Sequence, residues 1–133
     1  MRALPDWFGI ESAIVQYVRD TETKPTWLAE LGGHAVGFVT LNRHFTQAAE
    51  IHCMAVRPEV HRQGVGRALL ERVEAQCRTD GVMFLQMKTL APSVDYAPYV
   101  CTRAFYMAMG FTPLEELPNL WPGNPCLVLV KRL

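Results

Sequence analysis

Apolar residues recur along the chain with two different periods, and this pattern predicts where its helices and strands lie. A period of three to four residues, typical of a helix with one buried face, occurs over residues 6–19, 65–80 and 102–109. Shorter apolar or alternating runs, typical of strands, occur over residues 27–31, 35–41, 50–56, 82–89, 111–117 and 126–131. The pattern therefore predicts three helices and six strands.

Turn-forming residues separate these segments and suggest how they connect. Gly32 and Gly33 are typical of a hairpin, and Gly81 and Gly110 are placed to end the second and third helices. The order is helix, hairpin, strand, helix, strand, helix, strand, strand. It predicts an α/β fold whose mixed sheet is antiparallel at its start and has strand–helix–strand crossovers in the middle. Loops are expected over residues 42–49, 90–99 and 118–125.

Composition narrows the classes of protein that fit. With 133 residues, half of them hydrophobic and a fifth charged, the chain is expected to form one domain over residues 1–133. Lys plus Arg and Asp plus Glu both number 13, so there is no surplus charge for a broad face that would bind nucleic acid. No apolar run approaches the ~20 residues of a membrane span, and the N-terminus has no apolar signal core. We therefore expect a cytoplasmic protein with no membrane partner.

Cysteine and histidine spacing gives no sign of a metal site. The four cysteines form no Cys-x-x-Cys motif, and the four histidines show no pairing at the spacing of metal ligands. The sequence therefore predicts free thiols and no bound metal.

The strongest chemical signal is the turn of residues 62–67, Arg-Gln-Gly-Val-Gly-Arg, between a predicted strand and a predicted helix. The free N–H groups of a helix N-terminus stabilise an anion, and glycines let the backbone approach it closely. The turn lacks the Lys-Ser/Thr of a P-loop, and Leu69 stands where a dinucleotide-binding fingerprint has its third glycine. A coenzyme A diphosphate and a turn that merely starts a helix remain as the two interpretations.

Two longer segments resemble the GNAT superfamily of acyl-coenzyme A-dependent N-acyltransferases. Residues 53–70 are similar to its central strand–turn–helix motif, and residues 104–111 are similar to its later helix-and-strand signature. The resemblance implies a GNAT-type mixed sheet with a central splayed parallel strand pair and helices on both faces. It also implies acetyl-coenzyme A as co-substrate, without a metal.

The resemblance implies a set of residues that contact the cofactor. Backbone groups of the central strand would pair with pantetheine, and the glycine turn would hold the diphosphate. His61 stands where the family usually has Gln or Arg. The family's Asn before the late helix is missing, with Thr102 or Tyr99 as a replacement, and its first strand would be residues 1–4 or absent. The implied cofactor-binding residues are Met54, Ala55, Val56, Arg62, Gln63, Gly64, Val65, Gly66, Arg67 and Thr102.

Tyr106 matches the position of the family's frequent general acid, which would protonate the departing thiolate. On a helix that turns Cys101, Phe105 and Met109 towards the core, Tyr106 is rotated by ~100° and is expected to leave the core and point towards the splayed strands. A half-buried tyrosine with no catalytic role is the alternative interpretation.

The general base is expected on the central strand, where Glu50 and His52 share one face. Glu50 falls where some relatives of the family keep a catalytic carboxylate, and we rank it ahead of His52, whose ordinary pKa of ~6.5 suits the task. The alternatives are that Glu50 is a surface carboxylate, that His52 is a buried structural imidazole, and that a chain of water molecules removes the proton without a single base.

These expectations together predict an N-acetyltransferase that moves acetyl from acetyl-coenzyme A to a primary amine by direct attack in a ternary complex. Cys53 and Cys101 have no motif partner that would activate them for an acyl-enzyme route. The acceptor would be a small molecule or a peptide, and the protein a monomer or a homodimer. A non-catalytic acyl-coenzyme A-binding or interaction module that retains the fold is the alternative.

Overall fold

The computed structural model describes residues 1–133, which form one six-stranded sheet with three α-helices. The strands follow the order β1-β2-β3-β4-β6-β5, and every neighbouring pair is antiparallel except β3 and β4, which are parallel. The predicted mixed α/β sheet is therefore confirmed. Its elements are α1 Glu11–Thr23, β1 Thr26–Leu31, β2 His34–Phe45, β3 Ala48–Val56, a 3-10 turn Pro58–Val60, α2 Val65–Thr79, β4 Phe84–Leu90, α3 Ala97–Ala108, β5 Thr112–Trp121 and β6 Asn124–Arg132.

The central parallel pair separates part of the way along its length. Strands β3 and β4 pair only from Ala48–Phe84 to Ile51–Met87. Beyond that point β3 continues to Val56, while β4 continues to Leu90 along β6. The cleft between the diverging ends, called the splay cleft below, leaves one edge of β3 without a neighbouring strand. This geometry confirms the central splayed pair.

A β-bulge lies where the strands begin to separate. Thr40 pairs with Cys53 and Leu41 with Ile51, so His52 is an extra residue on β3. Such a bulge kinks a strand and shifts the alternation of its side chains. Ile51 and Met54, three residues apart, consequently both face the main core.

The sheet is covered by helices on both faces. On one face α2 and α3 pack over a core cluster of 17 buried residues, which includes Leu70, Val73 and Leu129. On the other face α1 buries Ile14 and brings the ring of Tyr17 to 5.5 Å from the ring of His52. None of the three helices is long and apolar enough to cross a membrane.

Several predicted boundaries are wrong. Helix α1 spans Glu11–Thr23 instead of residues 6–19, and residues 1–10 form turns without a strand. The expected loops over residues 42–49 and 118–125 are mostly strand, because β2 and β3, and likewise β5 and β6, are joined by tight hairpins. Helix α3 starts at Ala97, five residues before the predicted start. Pro98 lies in its first turn, where the missing N–H group breaks no helical hydrogen bond.

Candidate active site

The turn before α2 presents a row of free backbone donors. The six N–H groups of residues 62–67 donate no hydrogen bond within the chain, and no side chain caps the helix. Gly64 adopts φ +81° as the residue that precedes the helix, a conformation that glycine accepts without strain. Arg62 has φ +62° and is the only non-glycine residue with a positive φ. These donors lie at the positive end of the helix dipole, where they can bind a phosphate group.

Gly66 lies where three elements meet beside the splay cleft. A Cβ atom at this position would be 3.3 Å from Cζ of Phe105 on α3 and 3.9 Å from Cε of Met54 on β3. The missing side chain therefore lets the N-terminus of α2 approach α3 closely. This packing holds the free donors of the turn beside the open edge of β3.

The open edge of β3 carries backbone groups of Met54 and Val56. The N–H of Arg57 bonds to the carbonyl of Val36 on β2. Because antiparallel strands alternate the direction of their backbone groups, those of Ala55 face β2 and those of Met54 and Val56 face the cleft. The pairing predicted for Ala55 is therefore corrected: its backbone groups are directed away from the cleft. His61 reaches the same edge, with Nε2 2.7 Å from the Val56 carbonyl oxygen.

The N-terminal segment crosses the mouth of the splay cleft, which sequence reasoning missed. Trp7 Nε1 donates to Thr102 Oγ1 at 3.0 Å, and the Tyr99 hydroxyl donates to the Trp7 carbonyl at 3.2 Å. The ring of Trp7 also lies edge-on to the ring of His61, with centroids 6.3 Å apart. Trp7 thus contacts both α3 and the turn that follows β3, which form the two sides of the mouth.

Tyr106 is part of the core, contrary to the expectation that it leaves the core. It is 4% exposed and packs edge-on against Phe105 and Phe111, whereas Cys101 at the start of the predicted core face is exposed. Of the predicted core face, Met109 is buried and Phe105 packs against the core, so only Cys101 departs from the prediction, while Arg103 and Tyr106 are the buried side chains within α3 itself. Burial raises the pKa of Tyr106, so its hydroxyl keeps its proton at neutral pH.

Tyr106 nevertheless lies close to the splay cleft. Cys53 of β3 adds to the rise in the pKa of Tyr106 on one face and of Tyr17 on the other, although burial is the main cause for both. The ring of Tyr106 packs at 5.1 Å against the ring of Phe105, and Phe105 lies beside Gly66 at the splay cleft.

Glu50 sits in a network of ion pairs. It is 8% exposed, and its two carboxylate oxygens accept from His44 Nε2 and Lys88 Nζ, each at 2.7 Å. A carboxylate at this level of burial needs such partners, because an unpaired buried charge is costly. Both oxygens already have a donor, which leaves Glu50 less free to accept a proton from a substrate.

His52 occupies the bulge on the same face and has a different partner. Its Nε2 lies 2.7 Å from Oδ2 of Asp20 on α1, and its side chain is 23% exposed. The hydrogen bond to His52 is the main cause that lowers the pKa of Asp20. Asp20, like Lys88 and His44, was missed by sequence reasoning, because no local pattern links residues that are brought together from different elements.

Two other chemistries, an acyl-enzyme route through a cysteine and a metal site, are less well supported by the structure. Burial raises the pKa of the Cys53 thiol to about 12, so this thiol stays protonated and is a weak nucleophile at neutral pH. Cys101 is exposed on the outer side of α3. No group of three or more His, Cys, Asp or Glu side chains is placed to hold a metal ion.

Comparison with known sequences identifies the family. The sequence profile of the acetyltransferase (GNAT) family matches residues 2–111, and the chain therefore belongs to this family. An uncharacterized N-acetyltransferase of Chlorobaculum tepidum is 26% identical over 103 residues, which make up 77% of this chain and 56% of the relative. The chain thus spans a little over half the length of that relative.

Solved structures of the family share the fold. The IAA acetyltransferase from Bacillus cereus has a TM-score of 0.78 at 21% identity, over 99% of this chain and 91% of the other. A GNAT family acetyltransferase from Elizabethkingia anophelis with acetyl-CoA bound has a TM-score of 0.77 at 20% identity, over 98% and 88%. The ribosomal-protein-S18-alanine N-acetyltransferase from Escherichia coli has a TM-score of 0.72 at 21% identity, over 88% and 74%. These likenesses confirm the GNAT-type fold.

Proposed function

We propose that this protein transfers the acetyl group of acetyl-coenzyme A to a primary amine by direct attack in a ternary complex. The observation that carries the proposal is the continuity of the splay cleft with the six free N–H groups of residues 62–67. A diphosphate fits these donors, and the exposed Arg62 and Arg67 supply positive charge beside them. The cofactor-bound structure from Elizabethkingia anophelis, which shares the fold, supports acetyl-coenzyme A as the co-substrate.

The open edge of β3 fits the amide-rich pantetheine arm. Met54 directs its N–H and carbonyl groups into the cleft and Val56 its N–H, while the Val56 carbonyl already accepts from His61, so an extended chain with amide groups can pair there as a strand would. One of the N–H groups on this edge would polarise the thioester carbonyl and stabilise the negative charge that develops on its oxygen. Gly64, Val65 and Gly66 would hold the diphosphate through their backbone, with Gln63 at the edge of the turn.

The reaction requires that one proton is removed from the amine and that one proton is supplied to the thiolate. The amine nitrogen loses a proton and bonds to the acetyl carbon, the carbon–sulfur bond breaks, and the thiolate takes a proton. We assign the proton removal to His52, since Glu50 is engaged by Lys88 and His44. Tyr106 would protonate the thiolate, because its hydroxyl keeps its proton at neutral pH and its ring packs against Phe105, which lies beside Gly66 at the cleft.

The acceptor would approach from the α1 face of the sheet. His52, Asp20 and Glu50 all lie on this face, opposite α2 and α3. The acceptor class we propose is a small molecule or a peptide with a primary amine. The Escherichia coli structure of the family, whose named acceptor is an alanine of a ribosomal protein, supports the inclusion of peptides. We propose that the protein works in the cytoplasm as a monomer or a homodimer, without a nucleic-acid partner.

The test separates binding from catalysis. Calorimetry with acetyl-coenzyme A should show binding, and release of free thiol should follow when primary amines from a panel of small molecules and peptides are added. His52→Gln should lose turnover with unchanged cofactor affinity, and Glu50→Gln should lose less. Binding without thiol release for every amine would favour the non-catalytic acyl-coenzyme A-binding module, and absence of binding would overturn both functions.

A further inference from the structure

We propose that Asp20 is a positioning residue for His52: it fixes the tautomer and orientation of the imidazole and stabilises its protonated form. This inference rests on the proposed role of His52 as the base. Asp20 and His52 lie 32 positions apart in the sequence, and their side chains meet at 2.7 Å between α1 and the bulge of β3. Neither the family resemblance nor any sequence motif pointed to this pair.

Asp20 is itself held in place from the other side. Its second carboxylate oxygen, Oδ1, accepts from Gln16 Nε2 at 3.0 Å and lies 3.6 Å from Lys24 Nζ. Gln16 and Asp20 lie four residues apart on α1, and Lys24 follows directly after the helix, four residues beyond Asp20. The side chain of Asp20 is only 14% exposed, which limits competition from water for the same oxygens. The carboxylate is therefore fixed before it meets the imidazole.

His52 is held by packing as well as by this hydrogen bond. Its ring meets the ring of Tyr17 edge-on at 5.5 Å, and Tyr17 packs in turn against Phe8 at 6.1 Å. The bulge places the imidazole where β3 and β4 separate, next to the last paired residue, Ile51. A base at this point needs a fixed ring, because a proton is transferred only within hydrogen-bond reach.

The hydrogen bond determines which nitrogen can act as the base. An ionised carboxylate only accepts hydrogen bonds, so the neutral imidazole must carry its proton on Nε2 and its lone pair on Nδ1. After Nδ1 takes the proton of the amine, the positive ring remains in contact with the negative carboxylate. The charged groups on this side of the sheet are Asp20 on α1, Lys24 directly after α1 and Glu50 on β3, with the neutral Tyr17 and Cys53 beside them.

Asp20 remains ionised over the pH range in which a histidine titrates. The hydrogen bond from His52, which outweighs the opposing effect of burial, lowers the pKa of Asp20 below its ordinary value of 3.8. Its negative charge is therefore constant from acidic to alkaline pH and always favours the protonated ring. Removal of this charge takes away the partner that contacts the ring at 2.7 Å.

The experiment compares Asp20→Asn with Glu22→Gln, an equal change of charge at an exposed position of the same helix. For Asp20→Asn we expect kcat to fall roughly 10-fold or more, as part of the 10²–10⁴-fold that a placed base contributes. The KM for acetyl-coenzyme A should stay constant, and the acidic limb of the pH–rate profile should move to lower pH. Glu22→Gln should leave all three unchanged, and Asp20→Glu should recover part of the lost rate. Parental kcat and pH profile in Asp20→Asn would overturn the proposal, as would an equal shift in Glu22→Gln.

A spectroscopic measurement tests the positioning without turnover. Long-range ¹H–¹⁵N NMR of the imidazole rings, with His52→Gln to assign the signal, should show His52 protonated on Nε2 in the parent and a mixture of tautomers in Asp20→Asn. Protonation of the parent ring on Nδ1, or an unchanged tautomer in the variant, would overturn the role of Asp20. Parental turnover in His52→Gln would instead refute His52 as the base, so the two failures are distinguishable.

Discussion

Trp7 and Thr102 are joined by a hydrogen bond across the mouth of the splay cleft, from Trp7 Nε1 to Thr102 Oγ1 at 3.0 Å. The Thr102 hydroxyl also donates to the Pro98 carbonyl at 3.3 Å, so its proton and one of its two lone pairs are in use. Thr102 is the residue predicted to replace the family's Asn in contact with the cofactor. We expect a cofactor donor that approaches this hydroxyl from the mouth of the cleft to compete with the Trp7 N–H for it.

This competition predicts the effect of Trp7→Phe, which keeps an aromatic ring and removes the N–H donor. One hydrogen bond contributes about 0.5–1.5 kcal/mol, so acetyl-coenzyme A should bind the variant about 2- to 10-fold more tightly in calorimetry. Trp121→Phe, at the far end of β5, serves as the control and should not change the affinity. Weaker binding by Trp7→Phe would contradict the prediction and would mean that the indole contacts the bound cofactor.

The free donors of the α2 turn predict how substitutions at Gly66 act. Gly66→Asp would place a negative charge beside the diphosphate, whereas Gly66→Asn has the same shape without the charge. Both add a Cβ atom 3.3 Å from Phe105 Cζ, so a similar loss of thermal stability is expected for both. Affinity for acetyl-coenzyme A should fall much further in Gly66→Asp, and calorimetry on the two folded variants compares them. Equal affinities would exclude a diphosphate at this turn.

Much of the fold could be predicted because its signals are local. Helix α2 and strand β4 lie within two residues of their predicted bounds, since glycines and a clear apolar period mark both. The start of α3 was missed because Pro98 reads as a loop residue unless it is known to occupy a first helical turn. The bulge at His52 depends on the pairing of β2 with β3, which single-strand periodicity does not specify.

The candidate site likewise has one part that depends on consecutive residues and another that depends on contacts between distant residues. The turn over residues 62–67 could be predicted because its chemistry resides in consecutive residues. The partners of Glu50 and His52 could not, because Lys88 and Asp20 lie 38 and 32 positions away from them in sequence. The ranking of Glu50 over His52 as base used only residue type and position. The ion pairs that occupy Glu50 became visible only in three dimensions, and they favour His52.

The cysteines give a test of direct attack against an acyl-enzyme route. Burial raises the pKa of Cys53 to about 12 and also raises the pKa values of Cys77 and Cys126, whereas Cys101 is exposed. Because alkylation requires the thiolate, brief treatment of the native protein with iodoacetamide at about pH 8 should label Cys101 alone, as read by mass spectrometry. Cys53→Ala should retain turnover. Rapid labelling of Cys53, or loss of turnover in a folded Cys53→Ala protein, would count against direct attack.

Removal of the Tyr106 hydroxyl tests most directly whether Tyr106 is the general acid. Tyr106→Phe leaves the ring contacts with Phe105 and Phe111 in place, so stability and cofactor affinity should change little. If the hydroxyl protonates the departing thiolate, kcat should fall roughly 10²-fold or more, with KM nearly constant, because the interaction matters only as charge develops on sulfur.

The comparison that separates catalysis from packing is Phe111→Leu, which disturbs the same aromatic cluster without removing a polar group. It should lower thermal stability and leave kcat close to that of the parent. A Tyr106→Phe enzyme with parental kcat would make Tyr106 a core residue only. Thioester substrates with leaving thiols of lower pKa would then discriminate further, since a better leaving group needs less help from an acid. The defect of Tyr106→Phe should shrink with such substrates if the hydroxyl is the acid, and should stay constant if the substitution merely distorts the cleft.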